Sequence, residues 1–316
     1  MNECDIIIIG GGPAGLTAGL YTARSKMKTL LLEKVGPGGQ AALAWIIENY
    51  PGFPEGIDGP ELMERIRRQA EKYGLEIRGG EVVKVEFSLE DEQFKGKVKK
   101  IINTRGEEYK TVALIVATGT RPKKLGVPGE ERLIGRGVSY CATCDGPLFK
   151  NRKVVVVGGG DAAVEEALFL SRFAEKTTLI YRRDELRATK IMRERAASNP
   201  KLEFISKSVV TEVLGETEVE GVRVRNVETG KDLTLEAKGV FVHIGNIPNT
   251  AFLKGIVEMD EEGFIVTNEN MESSVSGIYA CGDVRKKLLR QVVTACGEGA
   301  TAGVAAGQYV QKWKGG

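Results

Sequence analysis

Two cysteines separated by two residues, Cys141 and Cys144, are the first feature of the sequence that could do chemistry. Thiols at this spacing can close a small ring, and when one sulfur attacks a partner disulfide, the second can resolve the mixed disulfide that forms. Asp145 follows directly and could deliver a proton to a leaving thiolate. The spacing therefore predicts thiol–disulfide exchange, with Cys141, Cys144 and Asp145 as the catalytic residues.

Two other interpretations of this pair stay open on the residues alone. Structural zinc takes four Cys or His ligands, commonly as two pairs, and the chain has one histidine, His243, and no second pair at this spacing. An inert pair of buried cysteines is the other alternative. His243 lies in an apolar segment and is interpreted as a packing or hinge residue rather than a base. Cys281 and Cys296 are interpreted as small core residues.

Two glycine-rich segments, 10–15 and 158–163, could bind the phosphates of dinucleotides. Each follows an apolar strand, opens a helical run and is followed by a second apolar strand, the context that such a motif requires. The first glycine allows a tight turn, the second admits a pyrophosphate, and the third permits close helix–strand packing. The helix N-terminus then directs its N–H groups at the phosphates. The motif positions are Gly10, Gly12, Gly15, Gly158 and Gly160, with Ala163 in the third place of the second copy.

The two copies differ at the end of the second strand. The first ends in Glu33, and a carboxylate there accepts hydrogen bonds from ribose hydroxyls. The second ends in Tyr181, and three arginines follow: Arg182, Arg183 and Arg187. Guanidinium groups there would pair with a 2′-phosphate, although a solvated basic surface is the alternative. The residues predict FAD, or NAD, at the first turn and NADPH at the second. FAD is favoured because two nicotinamides could not pass electrons on to a disulfide.

The order of these segments predicts an α/β fold with two Rossmann-like three-layer nucleotide-binding domains, the NADPH domain being inserted into the FAD domain. Short strands are expected over 75–118, with 108–111 and 113–117 as separate strands, and helical runs to about residue 26 and over 164–173. Residues 117–119 begin one crossing between the domains and 245–250 form the second, which together would make a hinge. The predicted divisions are 1–118 and 246–316 for the FAD domain and 119–245 for the NADPH domain with the redox pair.

Composition narrows the classes of function. The net charge is +2, which argues against a nucleic-acid binder. No apolar run approaches the roughly 18 residues that a membrane span needs, and no signal peptide precedes the first strand, so a cytoplasmic protein without a membrane partner is expected. Five cysteines in 316 residues do not make a secreted disulfide framework.

Four motifs together resemble one family along nearly the whole chain. They are segment 10–15, Cys141-Ala-Thr-Cys144-Asp145, Tyr181-Arg-Arg-Asp184 with Arg187, and Cys281-Gly-Asp283-Val followed by Arg290-Gln291. The chain is similar in these motifs to the low-molecular-weight, prokaryote-type thioredoxin reductases, of class II of the pyridine nucleotide-disulfide oxidoreductases. The resemblance implies a homodimer with one FAD per subunit, and electron flow from NADPH through FAD to the disulfide and on to thioredoxin or a glutaredoxin-like dithiol protein.

The resemblance also implies roles for individual residues. Cys144 would be the sulfur nearer the isoalloxazine, Cys141 would attack thioredoxin, and Asp145 would be the proton donor and acceptor. The NADPH domain would rotate between two arrangements, one bringing the nicotinamide to the flavin and the other the disulfide. The expected FAD contacts beyond the glycines and Glu33 are Pro13, Ala14, Lys34, Gly38, Gly39, Gln40, Asn49, Val83, Ala117, Thr118, Gly119, Gly282, Asp283, Arg290, Gln291 and Val292. Those for NADPH, beyond the glycines and arginines, are Asp161 and Ala162.

One departure bears on nucleotide preference. Many members have His where Tyr181 stands, and a tyrosine can stack on adenine or form a hydrogen bond but adds no positive charge. Three other functions are alternatives on these residues: a flavin-dependent dithiol oxidase, a ferredoxin–NADP reductase-like enzyme and a nucleotide-binding redox sensor. The oxidase would need no arginines for NADPH, the ferredoxin enzyme would not use Cys141 and Cys144, and the sensor would show no steady turnover.

Overall fold

The computed structural model describes residues 2–44, 46–88, 98–103 and 105–315. Their secondary structure consists of parallel and antiparallel strands and of helices that mostly follow them. The strands are β1 (Asn2–Ile9), β2 (Thr29–Glu33), β3 (Glu76–Gly79), β4 (Val82–Ser88), β5 (Val98–Asn103), β6 (Glu108–Val116), β7 (Thr120–Pro122), β8 (Val138–Ser139), β9 (Lys153–Val157), β10 (Lys176–Ile180), β11 (Leu202–Ile205), β12 (Ser208–Leu214), β13 (Gly221–Asn226), β14 (Asp232–Glu236), β15 (Gly239–Val242), β16 (Asn246–Pro248) and β17 (Ile278–Ala280). The α-helices are α1 (Pro13–Arg24), α2 (Gly59–Lys72), α3 (Glu130–Leu133), α4 (Ala142–Asp145), α5 (Asp161–Leu170), α6 (Lys190–Ala197) and α7 (Val292–Gly315).

The chain folds as two compact units. The outer unit consists of Met1–Arg121 and Ile247–Gly316, and the inserted unit of Pro122–Asn246. The short strands β7 and β16 pair with each other where the chain passes from one unit to the other and back. An α/β fold with one unit inserted into the other is therefore confirmed, whereas the assignment of FAD and NADPH to residue ranges stays a prediction.

The outer unit is built on a sheet with the order β3-β2-β1-β6-β5-β4, and β17 pairs with the carboxyl-terminal half of β6. Strands β3, β2, β1, β6 and β17 run parallel, and β5 and β4 add an antiparallel edge. The second half of β1, residues 6–9, is apolar without alternation, as expected where both faces of a strand are covered. Ile6 and Ile8 pack on the side of α1, α2 and α7, whereas Ile7 and Ile9 pack on the other side, against side chains such as Leu253.

Close contact between α1 and α7 joins the two chain segments of the outer unit. A Cβ on Gly299 would stand 2.2 Å from the Ala14 carbonyl oxygen, and one on Gly303 would stand 2.9 Å from that of Ala18. Only glycine allows the two helices to approach so closely at these positions.

The inserted unit repeats the parallel design on a smaller scale. Its sheet has the order β11-β10-β9-β15-β8, and all four strand pairs are parallel. A separate antiparallel sheet, β12-β13-β14, packs its valines against one face, whereas α5 and α6 cover the other.

The structure corrects three details of the predicted elements. Residues 108–111 and 113–117 are parts of one strand, β6, because buried Val112 continues the extended backbone between them. The helix α5 ends at Leu170 rather than 173, and α1 ends at Arg24. Within the described residues, no helix is both long and apolar enough to span a membrane.

Candidate functional site

The first glycine turn lies between β1 and α1 in the outer unit. Gly10 has φ +103°, and a Cβ there would stand 2.4 Å from the Ala117 carbonyl oxygen. Gly15 lies so close to Gly10 that a Cβ would stand 1.9 Å from its carbonyl oxygen. Gly12, in contrast, faces open space, with only the Gly39 Cα as near as 4.0 Å to a Cβ. The N-terminus of α1 is thus free to receive a phosphate, as the motif predicts.

Glu33 ties this turn to the end of β2. Its carboxylate accepts hydrogen bonds from the backbone N–H groups of Gly11 at 2.6 Å and Val35 at 3.1 Å. A cleft of about 690 Å³ begins here, a size typical of small-molecule sites. Of the predicted residues it is lined by Gly10, Glu33, Lys34, Val83 and Thr118. It is also lined by Arg121, a cation that sequence reasoning missed.

The predicted flavin residues that lie far apart in sequence contact one another in the outer unit. Asn49 Nδ2 donates a hydrogen bond to Gln291 Oε1 at 3.0 Å, and Gln40 Nε2 donates to the Thr120 carbonyl at 2.8 Å. Two other predicted residues donate hydrogen bonds here: Gly38 N to Gly11 O at 2.7 Å and Thr118 Oγ1 to Asn249 O at 2.8 Å. Gly39 lies against Gly12, and Gly119 has φ +60°. Pro13 starts α1, and Val292 starts α7.

The turn after β17 completes this group. Gly282 is so close to Ala14 that a Cβ on it would stand 2.8 Å from the Ala14 Cβ. The next residue, Asp283, is half-buried; desolvation raises the pKa of its carboxyl group, although Lys287 Nζ at 3.3 Å opposes the shift. Arg290 places its guanidinium 4.1 Å from the centroid of the Phe264 ring.

A buried glutamate that sequence reasoning missed holds this turn in place. Glu298, on α7, accepts hydrogen bonds from Gly282 N at 2.8 Å and Arg285 Nη1 at 2.9 Å, and Lys287 Nζ lies 3.3 Å away. The signal was its spacing: Glu298 lies three residues after buried Ala295 and therefore on the apolar stripe of α7.

Two polar atoms of the outer unit test whether its residues fit a flavin. Among the described residues, buried Arg290 Nε has no hydrogen-bond partner, and buried Asp283 Oδ1 has none beyond its ion pair with Lys287 Nζ at 3.3 Å. Buried polar atoms are nearly always hydrogen-bonded in native proteins. Both belong to residues predicted to contact FAD, so the donor and acceptor set fits a polar ring system bound beside them.

The second glycine turn lies between β9 and α5 in the inserted unit. Gly158 has φ +148°, and a Cβ on it would stand 2.2 Å from the His243 carbonyl oxygen. Gly160 faces open space, with no atom within 4 Å of a Cβ position. Asp161 begins α5, and its carboxylate accepts the Thr189 N–H at 2.7 Å. Ala162 follows it and is exposed.

The predicted arginines line a cavity of about 340 Å³ next to this turn. Arg182, Arg183 and Arg187 all lie on its wall, together with Gly158, Tyr181 and His243. In the ranges that the structure describes, no carboxylate forms an ion pair with any of the three guanidinium groups, whereas nearby Arg193 pairs with Glu185 and Lys207 with Asp184. Unpaired guanidinium groups around a cavity fit a phosphate ligand.

Cys141 and Cys144 form a disulfide, with Cα atoms 5.4 Å apart. Cys141 caps α4, and its sulfur accepts a hydrogen bond from Cys144 N at 3.1 Å. Cys144 is exposed and Cys141 half-buried, so the pair is not the inert buried one considered above. Asp145 N donates to the Cys141 carbonyl at 3.2 Å. The cysteines outside this pair behave as predicted where they are buried: Cys281 and Cys296 lie in the core beside α7.

Two carboxylates that sequence reasoning missed, one buried and one partly buried, contact the residues on either side of Cys141. Glu130, 1% exposed, accepts hydrogen bonds from the Tyr140 hydroxyl at 2.8 Å and from two backbone N–H groups. Glu166 Oε2 accepts the Ala142 N–H at 3.0 Å. No motif marks either residue, but Glu166 lies three residues after buried Ala163, which places it beside the buried face of α5.

Comparison with known proteins places the chain among enzymes. Residues 4–299 match the family described as pyridine nucleotide-disulphide oxidoreductase. A thioredoxin reductase of Peptoclostridium acidaminophilum is 46% identical over 316 residues, covering 98% of each chain. That of Bacillus subtilis is 45% identical over 309 residues, covering 98% of this chain and 95% of its own. The crystal structure of Lactococcus lactis thioredoxin reductase is 44% identical, with a TM-score of 0.93, covering 98% of this chain and 99% of that one. The chain therefore belongs to the pyridine nucleotide-disulphide oxidoreductase family.

Proposed function

We propose that this chain is a thioredoxin-disulfide reductase, which passes electrons from NADPH through FAD to the Cys141–Cys144 disulfide and from there to oxidised thioredoxin. The observation that carries the proposal is this disulfide, which lies at a partly exposed turn in the unit that also holds the arginine-lined cavity. The relatives named thioredoxin reductase, 45–46% identical over nearly the whole chain, support thioredoxin as the acceptor.

The chain uses FAD and NADPH, as its family does. When bound, FAD supplies hydride acceptance and two-electron transfer, which no side chain provides. In the proposal the outer unit holds it. The N-terminus of α1 and the open space at Gly12 receive the pyrophosphate, Glu33 the ribose, and Asp283 and Arg290 the ring system.

The inserted unit binds NADPH in this proposal. The open space at Gly160 receives the pyrophosphate at the start of α5, and the three arginines of the cavity neutralise the 2′-phosphate. Tyr181 lines the same cavity and can stack on the adenine.

The cysteines perform the exchange step. Once the disulfide has taken up two electrons, the Cys141 thiolate attacks a sulfur of the thioredoxin disulfide, which breaks as the mixed disulfide forms. Cys144 then attacks Cys141, restores the intramolecular bond and releases thioredoxin as a dithiol. Asp145 gives a proton to the departing thiolate and recovers one from the Cys144 thiol.

The proposal extends to assembly and to a second acceptor. The resemblance described above supports a homodimer with one FAD in each subunit, and a glutaredoxin-like dithiol protein as an alternative to thioredoxin. Sedimentation of the yellow protein gives its subunit number, and turnover with each acceptor ranks the two. The predicted cytoplasmic location stays a prediction.

Anaerobic titration with NADPH tests the function. We expect the flavin absorbance to bleach and two thiols to appear beyond those of Cys4, Cys281 and Cys296. Cys141→Ser should lose at least about 10³-fold in thioredoxin reduction while its flavin is still reduced. Cys4→Ser, a matched change at a free cysteine, should keep full activity.

Three outcomes would contradict the proposal. One is thioredoxin reduction by Cys141→Ser at the wild-type rate. Another is a colourless protein that cannot be reconstituted with FAD. The third is rapid oxidation of a small dithiol by oxygen without consumption of NADPH, which would indicate a dithiol oxidase.

A further inference from the structure

The two carboxylates that contact the neighbours of Cys141, Glu130 and Glu166, differ in how many hydrogen bonds the protein gives them. Glu130 accepts three hydrogen bonds, from the Tyr140 hydroxyl and from two backbone N–H groups. The one hydrogen bond that the structure gives Glu166 comes from the Ala142 N–H. Glu130 is thus a fixed anchor, whereas Glu166 keeps a carboxylate oxygen whose charge is poorly compensated.

One titratable neighbour of Glu166 is His243. The distance from His243 Nε2 to Glu166 Oε2 is 4.0 Å, and the two side chains are 12% and 24% exposed. His243 Nε2 is buried and has no hydrogen-bond partner in the described part of the chain. A carboxylate and an imidazole therefore form a partly buried pair in the unit that carries the disulfide.

This pair lies between the disulfide and the second glycine turn, within one unit. On one side Glu166 holds the backbone N–H of Ala142, which lies between the two cysteines in sequence. On the other side the His243 carbonyl abuts Gly158, and His243 lines the arginine cavity. Glu166 itself is on α5, the helix that starts at that turn.

We propose that Glu166 is a positioning residue for the redox-active segment, and that its charge, with His243 beside it, sets how the Cys141–Cys144 disulfide–dithiol equilibrium depends on pH. The proposal rests on the proposed function in that the disulfide is taken to be redox-active.

The physical reason is electrostatic. Reduction breaks the S–S bond, adds two electrons and takes up two protons when both sulfurs end as thiols; any proton not taken up leaves a negative thiolate. An ionised Glu166 strengthens the Ala142 hydrogen bond and repels a thiolate. A protonated Glu166 does neither, so the charge state of Glu166 alters the free energy of reducing the disulfide.

The charge of Glu166 changes near neutral pH. Burial raises the pKa of Glu166 to about 7, although the Ala142 N–H opposes the shift and Glu165 adds to it. Burial also lowers the pKa of His243 to about 4, which leaves the imidazole neutral above that pH. Glu166 is therefore neutral well below pH 7 and negative well above it.

Most other charged groups on the elements packed against α5 form ion pairs of their own. Asp145, on α4, is the carboxylate nearest the disulfide in sequence. The remaining pairs are Lys153 with Glu236, Lys176 with Glu203, Lys190 with Glu194 and Arg193 with Glu185. Arg195, on α6, has an interaction of its own.

The test is the equilibrium of the purified holoenzyme with mixtures of reduced and oxidised dithiothreitol from pH 5.5 to 8.5. Rapid alkylation and mass spectrometry of the peptide with Cys141 and Cys144 give the fraction reduced. Wild type and Glu166→Gln should agree below pH 6. Above pH 7.5, Glu166→Gln should be roughly five- to tenfold easier to reduce, because it lacks the repelling charge.

Three variants keep the result interpretable. Glu166→Asp retains the charge and should keep the change near pH 7, so it serves if Glu166→Gln does not fold. Glu166→Ala loses the hydrogen bond and should shift the equilibrium at every pH. Glu175→Gln, the same change at an exposed site of the unit, should match wild type. A ratio between Glu166→Gln and wild type that stays constant from pH 5.5 to 8.5 would overturn the proposal.

This equilibrium needs neither NADPH nor thioredoxin, which separates the two proposals. A constant ratio leaves the reductase function intact. Failure of NADPH to reduce the disulfide would end the proposed function and leave the effect of Glu166 standing.

Discussion

The two glycine turns have the same backbone arrangement and differ in the residues that pack against it. In each, the first glycine fits against a carbonyl at the end of a neighbouring strand, that of Ala117 in the outer unit and His243 in the inserted one. The third position is Gly15 in the first turn, with no room for a Cβ, and Ala163 in the second, where a methyl group is buried. The first turn is therefore packed more tightly at its third position. The second turn also differs in its neighbour, the titratable residue His243.

The charged side chains next to the two turns also differ in whether groups of the protein already bind them. The carboxylate of Glu33 is already used by backbone N–H groups of its own unit, and it holds the turn whether or not a ligand is bound. The arginines of the second turn have no carboxylate partner among the described residues. We infer that the first turn is built for a resident cofactor and the second for a ligand that comes and goes.

The sharpest test of this difference exchanges the third residue of each turn. Gly15→Ala should destabilise the outer unit by about 3 kcal/mol or more, because its Cβ would stand 1.9 Å from the Gly10 carbonyl oxygen. Ala163→Gly should cost only about 1 kcal/mol, through helix propensity and one lost methyl group. Denaturant unfolding followed by far-UV circular dichroism measures both. Equal effects would show that the two turns are packed alike.

His243, beside the second turn, should make the stability of the folded protein depend on pH. The pKa of His243 falls from 6.5 to about 4 on folding, so the unfolded chain binds the proton more tightly and stability is lost as pH falls from 6.5 through 4. Over that range wild type should lose roughly 3 kcal/mol relative to His243→Ala. This variant has an alanine beside the second turn, as the first turn has Ala117.

Glu166 should change the stability of the fold with pH in the opposite direction to His243. Its pKa rises on folding, from 4.5 to about 7, so its contribution is present below pH 4.5 and is lost as pH rises through 7. The wild-type curve alone therefore shows partial cancellation, and the difference curve between wild type and His243→Ala is the measurement that isolates the histidine. A flat difference curve would mean that the imidazole titrates normally in the fold.

The arginines should govern the choice of nucleotide. Arg182→Ala should raise the KM for NADPH about tenfold, since a charge-assisted contact to the 2′-phosphate is lost, with far less effect on NADH. Steady-state kinetics with both nucleotides measures this. Arg193→Ala, which removes an arginine already paired with Glu185, is the control and should leave both KM values unchanged.

The smallest effect is expected at Glu33. Glu33→Gln should weaken retention of FAD a few-fold, because the neutral amide still reaches the turn but accepts weaker hydrogen bonds from Gly11 and from ribose. Dialysis at rising salt, with flavin absorbance as the readout, measures it. Binding of NADPH should not change, and a change would mean that Glu33 serves the other nucleotide.

Much of this arrangement could be predicted from the sequence because it is local. Gly10, Gly158 and Arg182 lie in short motifs whose spacing carries their chemistry, and the apolar strands around them indicate a parallel sheet. Only the resemblance assigned Asn49 and Gln291 to the same cofactor; the hydrogen bond between them was not predicted, since nothing local joins residues 242 apart.

The residues that were missed act through burial, which no motif records. Glu130, Glu166 and Glu298 are carboxylates that each accept at least one backbone N–H from outside their own helix. Their surroundings depend on how helices pack on sheets. A carboxylate beside the apolar stripe of a helix was the available signal for Glu166 and Glu298.

The glycine contacts between α1 and α7 impose an order on biosynthesis. Because Gly299 and Gly303 lie against the first helix, the outer unit cannot close until a ribosome has finished residues almost 300 positions downstream of Pro13. The inserted unit, continuous in sequence, emerges complete before then and can fold first. During that interval the early strands of the outer unit expose apolar faces, so nascent chains paused near residue 250 should be the form that chaperones hold.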